Sequence, residues 1–434
     1  MDMNTSRSLS DIAARLAAYD PQALRVELAQ DFISQMLPRP HERERLPLRA
    51  ALGRVLADDV VSPLQVPAHD NSAMDGYALR ASELNPNGET RLSLAGTSLA
   101  GGAPSGSLPP GHCQRIMTGA LMPAGLDTVV PQEFTRMEDG LIVIPPGILR
   151  AGDNRRLAGE DLALGSVALA AGRRLTPADI GLLASLGLAD VAVWRRVRVA
   201  IMSTGDELRA VGDASEPLPA GCLYDSNRYT IWAMLERLGC VEVIDLGIVR
   251  DRPEALRQAF ERAADEADAI ISSGGVSVGE ADYTKRVMAE LGEVLFWKIA
   301  MRPGRPMAIG KIRGSAREAI LFGLPGNPVA VMVTFYAFVR DALLRMGGAD
   351  PAPLPMLRAA SVQPLRKKAG RTEYQRGVLS RAADGGWQVE ITGNQGSGIL
   401  SSMSQANGLV VLGHEQGDVA AGDSVDVLPF EGLI

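Results

Sequence analysis

The stretch RVRVAIMSTG, Arg196–Gly205, decides the fold. It is a near-continuous apolar run that stops at Ser-Thr-Gly, the form of a strand buried on both faces that ends in a loop. Outward from it the same rhythm recurs. NRYTIWAMLERLG (227–239) has a helical pattern, VEVIDLGIV (241–249) reads as a strand, PEALRQAFERAADEA (253–267) as a helix and DAIISS (268–273) as a strand. YTKRVMAELG, VLFWKIAM, MAIGKI, AILFGLPGNP and VAVMVTFYAFVRDALLRMG continue the alternation to residue 347. Strands alternating with helices mark a doubly wound parallel α/β domain, expected over 195–349.

The flanks have other rhythms. From Leu9 to Leu56, apolar Ile12, Leu16, Leu24, Leu28, Phe32, Ile33 and Met36 follow roughly helical spacing, interrupted by Pro21, Pro38 and Pro40. Residues 63–149 hold short β-like pieces (RLSLAG, CQRIMTG, DTVVPQEF, LIVIPP) separated by Gly and Pro, a β-rich insert. The chain then returns through 150–194, where Thr176 and Pro177 open a helix. Residues 1–62 with 150–194 are therefore expected to form a helical and linker domain. After the Pro-rich GGADPAPLP, short strands in series suggest a small β-barrel or sandwich over 355–434, and a C-terminal β-barrel is the expectation carried forward.

Composition narrows the function. A hydrophobic fraction of 46% and a charged fraction of 22% are those of a folded globular chain. The net charge of −7 disfavours a nucleic-acid partner, so any anion must be held locally. Cys113, Cys222 and Cys240 are too far apart for a CxxC site, and the four histidines lack zinc spacing. The N-terminal segment has no signal-peptide pattern and no apolar run is long enough to cross a bilayer, so the expected location is the cytoplasm, with no membrane partner.

In an open α/β sheet, ligands bind beyond the carboxyl ends of the strands. The loop after the first strand carries Ser203, Thr204, Gly205 and Glu207; the second carries Asp251; the third carries Gly274, Gly275, Ser277, Gly279 and Asp282. Asp225, in YDSN, is either a helix cap or a fourth acid. Converging carboxylates repel by roughly 4 kcal/mol per pair at 4 Å and an effective dielectric of 20. A hydrated Mg²⁺ held by Glu207, Asp251 and Asp282 with substrate phosphate would offset this. The Gly-rich third loop lacks the Walker Lys-Ser/Thr pair and the dinucleotide fingerprint. Its G-x-S-x-G spacing (275, 277, 279) mimics a nucleophile elbow, but the only later histidine is His414, in the β-rich tail. Ser277 is thus expected to let backbone approach a ligand rather than attack it.

Cationic groups follow: Lys298, Arg302 and Arg305, the last two on a turn stiffened by Pro303, Gly304 and Pro306. Pro325, Gly326, Asn327 and Pro328 offer a preorganised helix start, with Asn327 at the N-cap position.

The ordered set DNSAMDGYA, RIMTGA, GED, STGDEL, YDSNR, SSGGVSVGEADY, RPGRP, GLPGNP, GVL and GNQGSG resembles, over essentially the whole chain, the MoeA family of molybdopterin molybdenumtransferases, related to the E domain of gephyrin. The resemblance implies an elongated homodimer of four-domain subunits that inserts molybdate into adenylylated molybdopterin with Mg²⁺-assisted release of AMP. It assigns catalytic roles to Glu207, Asp251, Asp282, Lys298 and Arg302, and adds Asp75 and Thr118 from the partner subunit. Arg156, Asp161 (with the metal-holding acids) and Ser397 match further family positions. A contact with the molybdopterin adenylyltransferase is a further partner it suggests. The basic turn departs from the family pattern, usually written with Lys: Arg302 and Arg305 favour bidentate oxyanion contact. Two rivals stand beside this reading: an adenylyltransferase on the same α/β domain, and a noncatalytic scaffold.

Overall fold

The structure, a computed structural model, describes residues 8–16, 19–40, 42–103, 106–212, 217–276 and 283–430. It divides into two compact units. One comprises Met1–Ala57, Gly172–Thr176 and Ala192–Ile434; the other comprises Asp58–Ala171 and Pro177–Val191.

The larger unit opens with α1 (Leu9–Arg15), capped by the Ser8 hydroxyl accepting the Asp11 N–H at 3.1 Å, and α2 (Val26–Met36). The helical spacing puts Val26, Ala29, Phe32, Ile33 and Met36 on one buried face of α2, where Phe32 meets Trp297 edge to face at 5.1 Å.

In the smaller unit, β1 (Gly76–Leu79), β2 (Thr90–Ser98), β3 (His112–Ile116), β4 (Thr128–Pro131), β5 (Arg136–Glu138) and β6 (Leu141–Ile144) form one sheet in the order β4-β1-β3-β2-β6-β5. Alternation sends Leu79, Leu92, Cys113, Val130 and Ile142 to one core and Ala78, Ile116 and Val129 to another. The returning segment after residue 150 packs within this unit, because Arg155 and Arg156 pair with Ser72 and Asn71, and Val167 and Leu169 with Val61 and Val60. Backbone pairing joins it on both sides: Arg155 and Arg156 to the insert, and Val167 and Leu169 to residues 60–61, within the 1–62 segment with which the sequence groups it. The unit also contains α3 (Pro177–Ser185).

The α/β domain follows: β7 (Val197–Thr204), α4 (Ser226–Glu236), β8 (Val241–Val249), α5 (Pro253–Glu266), β9 (Ala269–Ser273), α6 (Tyr283–Leu291), β10 (Gly292–Lys298), β11 (Pro306–Arg313), β12 (Glu318–Leu324), α7 (Pro328–Thr334) and, after a π-turn, α8 (Arg340–Met346). The sheet order is β8-β7-β9-β12-β11-β10. Val199, Ile201, Ile271 and Phe322 face a core shared with α2, α4, α7 and α8, while Ala200, Met202, Ile270 and Leu321 face the one beneath α5 and α6. Period-two alternation inside continuous apolar runs thus feeds both layers.

The expected sheet was all parallel. Four strands are; β11 and β10 instead run antiparallel to their neighbours. The physical reason is the connection: β11 and β12 are joined by only four residues, enough for a hairpin and too few for a crossover.

The last strands, β13 (Leu357–Ser361), β14 (Thr372–Arg381), β15 (Trp387–Ile391), β16 (Gly408–Leu412) and β17 (Ser424–Pro429), pair in the order β14-β15-β13-β17-β16, and β14 also pairs with β16. That pairing closes a five-stranded barrel, with α9 (Leu400–Gln405) between β15 and β16. Cys113, Cys222 and Cys240 are unpaired thiols. Among the described residues no helix is long and apolar enough to cross a membrane.

Candidate active site

Register decides where the loops emerge. Ser203 lies opposite Ser273, Ser273 opposite Leu324, and Thr204 opposite Val249, so the four parallel strands end at one level. Beyond that edge is a cavity of about 1180 Å³. It is lined by Thr204, Gly205 and Glu207 after β7, Asp251 after β8, Ser273, Gly274 and Gly275 after β9, and Pro325, Gly326, Asn327 and Pro328 after β12. Arg302 and Arg305 line it from the basic turn, and Gln395, Gly396 and Ser397 with Arg371 from the barrel.

The acids divide by environment. Asp225 is 1% exposed: its carboxylate accepts the Ser203 hydroxyl at 2.9 Å, the Arg228 Nε–H at 2.8 Å and the Arg228 backbone N–H at 3.3 Å. It is the N-cap of α4, and its charge is taken up by the protein itself. Among the described residues no cation pairs with Asp251. Burial pushes its carboxyl above the ordinary range, and the charges of Asp206 and Glu207 push it the same way, against a 3.3 Å hydrogen bond from the Thr284 hydroxyl. Among the described residues neither Arg302 nor Arg305 is paired with a carboxylate. Unpaired charge of both signs therefore borders one cavity, which suits an anionic guest bound with a cation.

Asn227 donates to the Ser273 hydroxyl at 2.8 Å and to the Gly326 carbonyl at 2.7 Å, tying two loops together. Its Oδ1 is buried and has no partner among the described residues. Asn327 occupies the N-cap position of α7, but its side chain makes no cap bond; its Nδ2 donates to the Ser397 hydroxyl at 3.0 Å, joining the α/β domain to the barrel.

The glycine loop brings backbone close to the cavity. Gly274 has φ +94°, and a Cβ there would lie 2.7 Å from the Thr204 carbonyl oxygen. Gly274→Ala is expected to cost about 1–3 kcal/mol and to displace the Thr204 loop. A denaturant melt matching the unsubstituted protein would contradict this.

Of the residues singled out from the sequence, Ser203, Thr204, Gly205, Glu207, Asp225, Asp251, Gly274, Gly275, Arg302, Arg305, 325–328 and Ser397 gather at or just beneath this cavity. Lys298 does not line it, although its register partner Pro306 does. Ser277, Gly279 and Asp282 lie outside the described residues. In the smaller unit Asp75 accepts both the backbone N–H and the hydroxyl of Thr118 at 2.7 Å, which, backbone bond first, lower its pKa. Arg156 sits opposite Asn71, and the Asp161 N–H is held by Val66.

Sequence reasoning missed Arg371, whose guanidinium is held by buried Glu373 (2.7 and 2.8 Å), and Gln395. Arg371 follows Arg366, Lys367 and Lys368, and nothing in the local pattern separates it from them. Thr284 was missed too; its hydroxyl reaches Asp251 only because α6 packs beside the β8 loop.

A multidomain protein whose α/β domain opens at its carboxyl edge into a cavity suited to an anionic ligand is the class that fold and cavity define. The comparisons with known proteins specify it further. Residues 24–187 match the MoeA N-terminal region (domain I and II), 200–345 a probable molybdopterin binding domain, and 358–430 the MoeA C-terminal region (domain IV). A molybdopterin molybdenumtransferase of Haemophilus influenzae is 43% identical over 413 residues, 95% of this chain and 100% of that protein. Gephyrin of Dictyostelium discoideum is 31% identical over 89% of this chain and 59% of its own length. The crystal structure of the molybdopterin biosynthesis moeA protein from Pyrococcus horikoshii superposes with a TM-score of 0.79 at 26% identity, covering 94% of this chain and 99% of that one. The chain belongs to the MoeA family.

Proposed function

We propose that this chain is a molybdopterin molybdenumtransferase: it inserts molybdenum from molybdate into adenylylated molybdopterin and releases AMP. The observation that carries this reading is one cavity bordered, among the described residues, by Glu207 and Asp251 without a paired cation and by Arg302 and Arg305 without a paired carboxylate. Phosphorylated pterin and molybdate are both oxyanions, and the forks of Arg302 and Arg305 suit them. The glycine loop lets phosphate oxygens approach backbone N–H groups.

Burial first, and then the charges of Asp206 and Glu207, raise the Asp251 pKa, and a divalent cation at this wall would relieve both costs of the ionised form. Among the described residues no group of three or more His, Cys, Asp or Glu forms a complete cage. Glu207 and Asp251, with waters and substrate phosphate, are the hard oxygen donors that suit Mg²⁺. Bound Mg²⁺ would neutralise charge developing on the phosphate oxygens. Glu207 and Asp251 orient the oxygen nucleophile, water or molybdate, toward the adenylyl phosphorus. The attacking oxygen becomes part of AMP as the phosphoanhydride bond breaks and molybdopterin phosphate leaves. When water attacks, the two dithiolene sulfurs then bind molybdenum, one molybdate oxygen departs as water with the two thiol protons, and Arg302 and Arg305 hold the remaining oxyanions.

The test is an assay of AMP release and active cofactor from adenylylated molybdopterin, molybdate and Mg²⁺. Turnover of ATP with molybdopterin would instead support the adenylyltransferase, and no turnover of either would leave the scaffold. Replacing both Arg302 and Arg305 by Gln is expected to raise KM for the adenylate at least about tenfold and to flatten its salt dependence. An unchanged KM would remove the arginines from the substrate.

In this reading a second copy of the chain supplies Asp75 and Thr118. Coexpressing two inactive variants, Asp75→Ala and Asp251→Ala, should restore roughly a quarter of normal activity, since half of randomly assorted dimers carry one intact site of two. No recovery from dimers verified as mixed would place both residues in the same subunit's site.

A further inference from the structure

Arg376 is fully buried, yet no carboxylate pairs with it among the described residues. Its guanidinium is spent on backbone. Nη1 donates to the Gln395 carbonyl at 3.1 Å, and Nη2 to the carbonyls of Asn394 (3.2 Å) and Gly396 (2.9 Å); Nε donates to the Ser402 hydroxyl at 3.0 Å. Burying a cation without a carboxylate is costly, and three carbonyls on one loop recover that cost only while the loop keeps one shape. A trans peptide points its C=O and N–H in opposite directions. The carbonyls turned toward Arg376 therefore leave the N–H groups of Gln395, Gly396 and Ser397 directed away from it. Gly396's N–H is taken by the Asn394 side chain at 3.0 Å. Past this turn Ser397 meets Asn327 through its hydroxyl, and its carbonyl accepts the Val329 N–H at 3.1 Å. Gln395, Gly396 and Ser397 line the cavity; Arg376 does not.

We propose that Arg376 is a positioning residue for the transfer reaction: its buried guanidinium, with the Gln395 amide bonded to the Arg376 backbone at 2.7 and 3.2 Å, fixes the 394–396 turn and so sets how Ser397 meets the substrate. The proposal rests on the assignment of the cavity to molybdenum transfer. Its action is geometric, through the fork of the guanidinium, and charge alone does not replace it.

The test compares Arg376→Lys, Arg376→Met and the milder Ser402→Ala, which removes one acceptor, in the full-length protein. Two readouts are used: steady-state kinetics with adenylylated molybdopterin and molybdate, and amide hydrogen exchange of peptides covering 393–399. The expected result is faster exchange confined to 393–399 in all three variants. KM should rise about tenfold in both Arg376 variants, and less in Ser402→Ala, with kcat within about threefold. The effect of Arg376→Met should also be non-additive with Ser397→Ala. Normal KM in Arg376→Lys would overturn the geometric role in favour of charge alone. Unchanged exchange in folded Ser402→Ala or Arg376→Lys, or strict additivity with Ser397→Ala, would overturn the proposal outright. If the unsubstituted protein itself releases no AMP, the reaction assignment fails, and the exchange data alone decide whether Arg376 holds the turn.

Discussion

Replacing Asp251 by Asn is expected to abolish AMP release while leaving the melting temperature, measured with a chelator at pH 8, no lower than that of the unsubstituted protein. Asn keeps an oxygen to accept the Thr284 hydroxyl and has nearly the same volume, so packing is preserved. What changes is charge. Burial and the fields of Asp206 and Glu207 raise the Asp251 pKa in the folded state, so folding disfavours the ionised form. Below the ordinary aspartate range both states keep the proton, and the substitution has no electrostatic effect. As pH rises through the raised folded value, the native protein comes to bear the full cost of the ionised carboxylate. The variant's relative stability should therefore grow across that interval and then level off. A residue that weakens the cation-free fold in order to serve the reaction is the expected trade-off at a site. A lower melting point for the variant at pH 8, or retained AMP release, would refute the assignment.

Asp225 lines the same cavity with the opposite consequence. Asp225→Ala is expected to destabilise the protein by about 3–5 kcal/mol, because it removes one partner of a buried ion pair and leaves the other. Arg228 would lose the Nε contact at 2.8 Å and keep only Asp245; Ser203 would lose its acceptor, and α4 its cap. Urea unfolding measures the difference, and a loss under about 1 kcal/mol would mean that Asp245 alone suffices for Arg228. Two aspartates on one cavity wall thus separate by partner: the paired one holds the fold, and the unpaired one is left to bind.

The contrast marks how far the site was legible in the sequence. Gly274, Asp251, Arg302 and the 325–328 turn were readable because each sits at the end of an apolar run, where an α/β sheet presents its loops. Whether Asp225 was a cap or a free acid was open in YDSN, since both use the same residues; Arg228 and Ser203 close the choice only after folding. Asn327 was read as a cap, yet its amide turns to Ser397, 70 residues away, a partner that no local pattern could propose. Arg371 and Arg376 were invisible for the same reason: their surroundings are built by the barrel's closure.

The apolar periodicity by itself determined the α/β domain and its two packed layers, the β-rich insert and the run of short C-terminal strands. The ordered motifs likewise determined the family. Hydrophobic spacing along a chain dictates which face of each element must leave water, and that is a local property. Only the tertiary structure decided the antiparallel edge and which charges meet a partner. Those outcomes depend on connection length and on contacts between residues far apart in sequence, whose energies exist only once the chain has closed on itself.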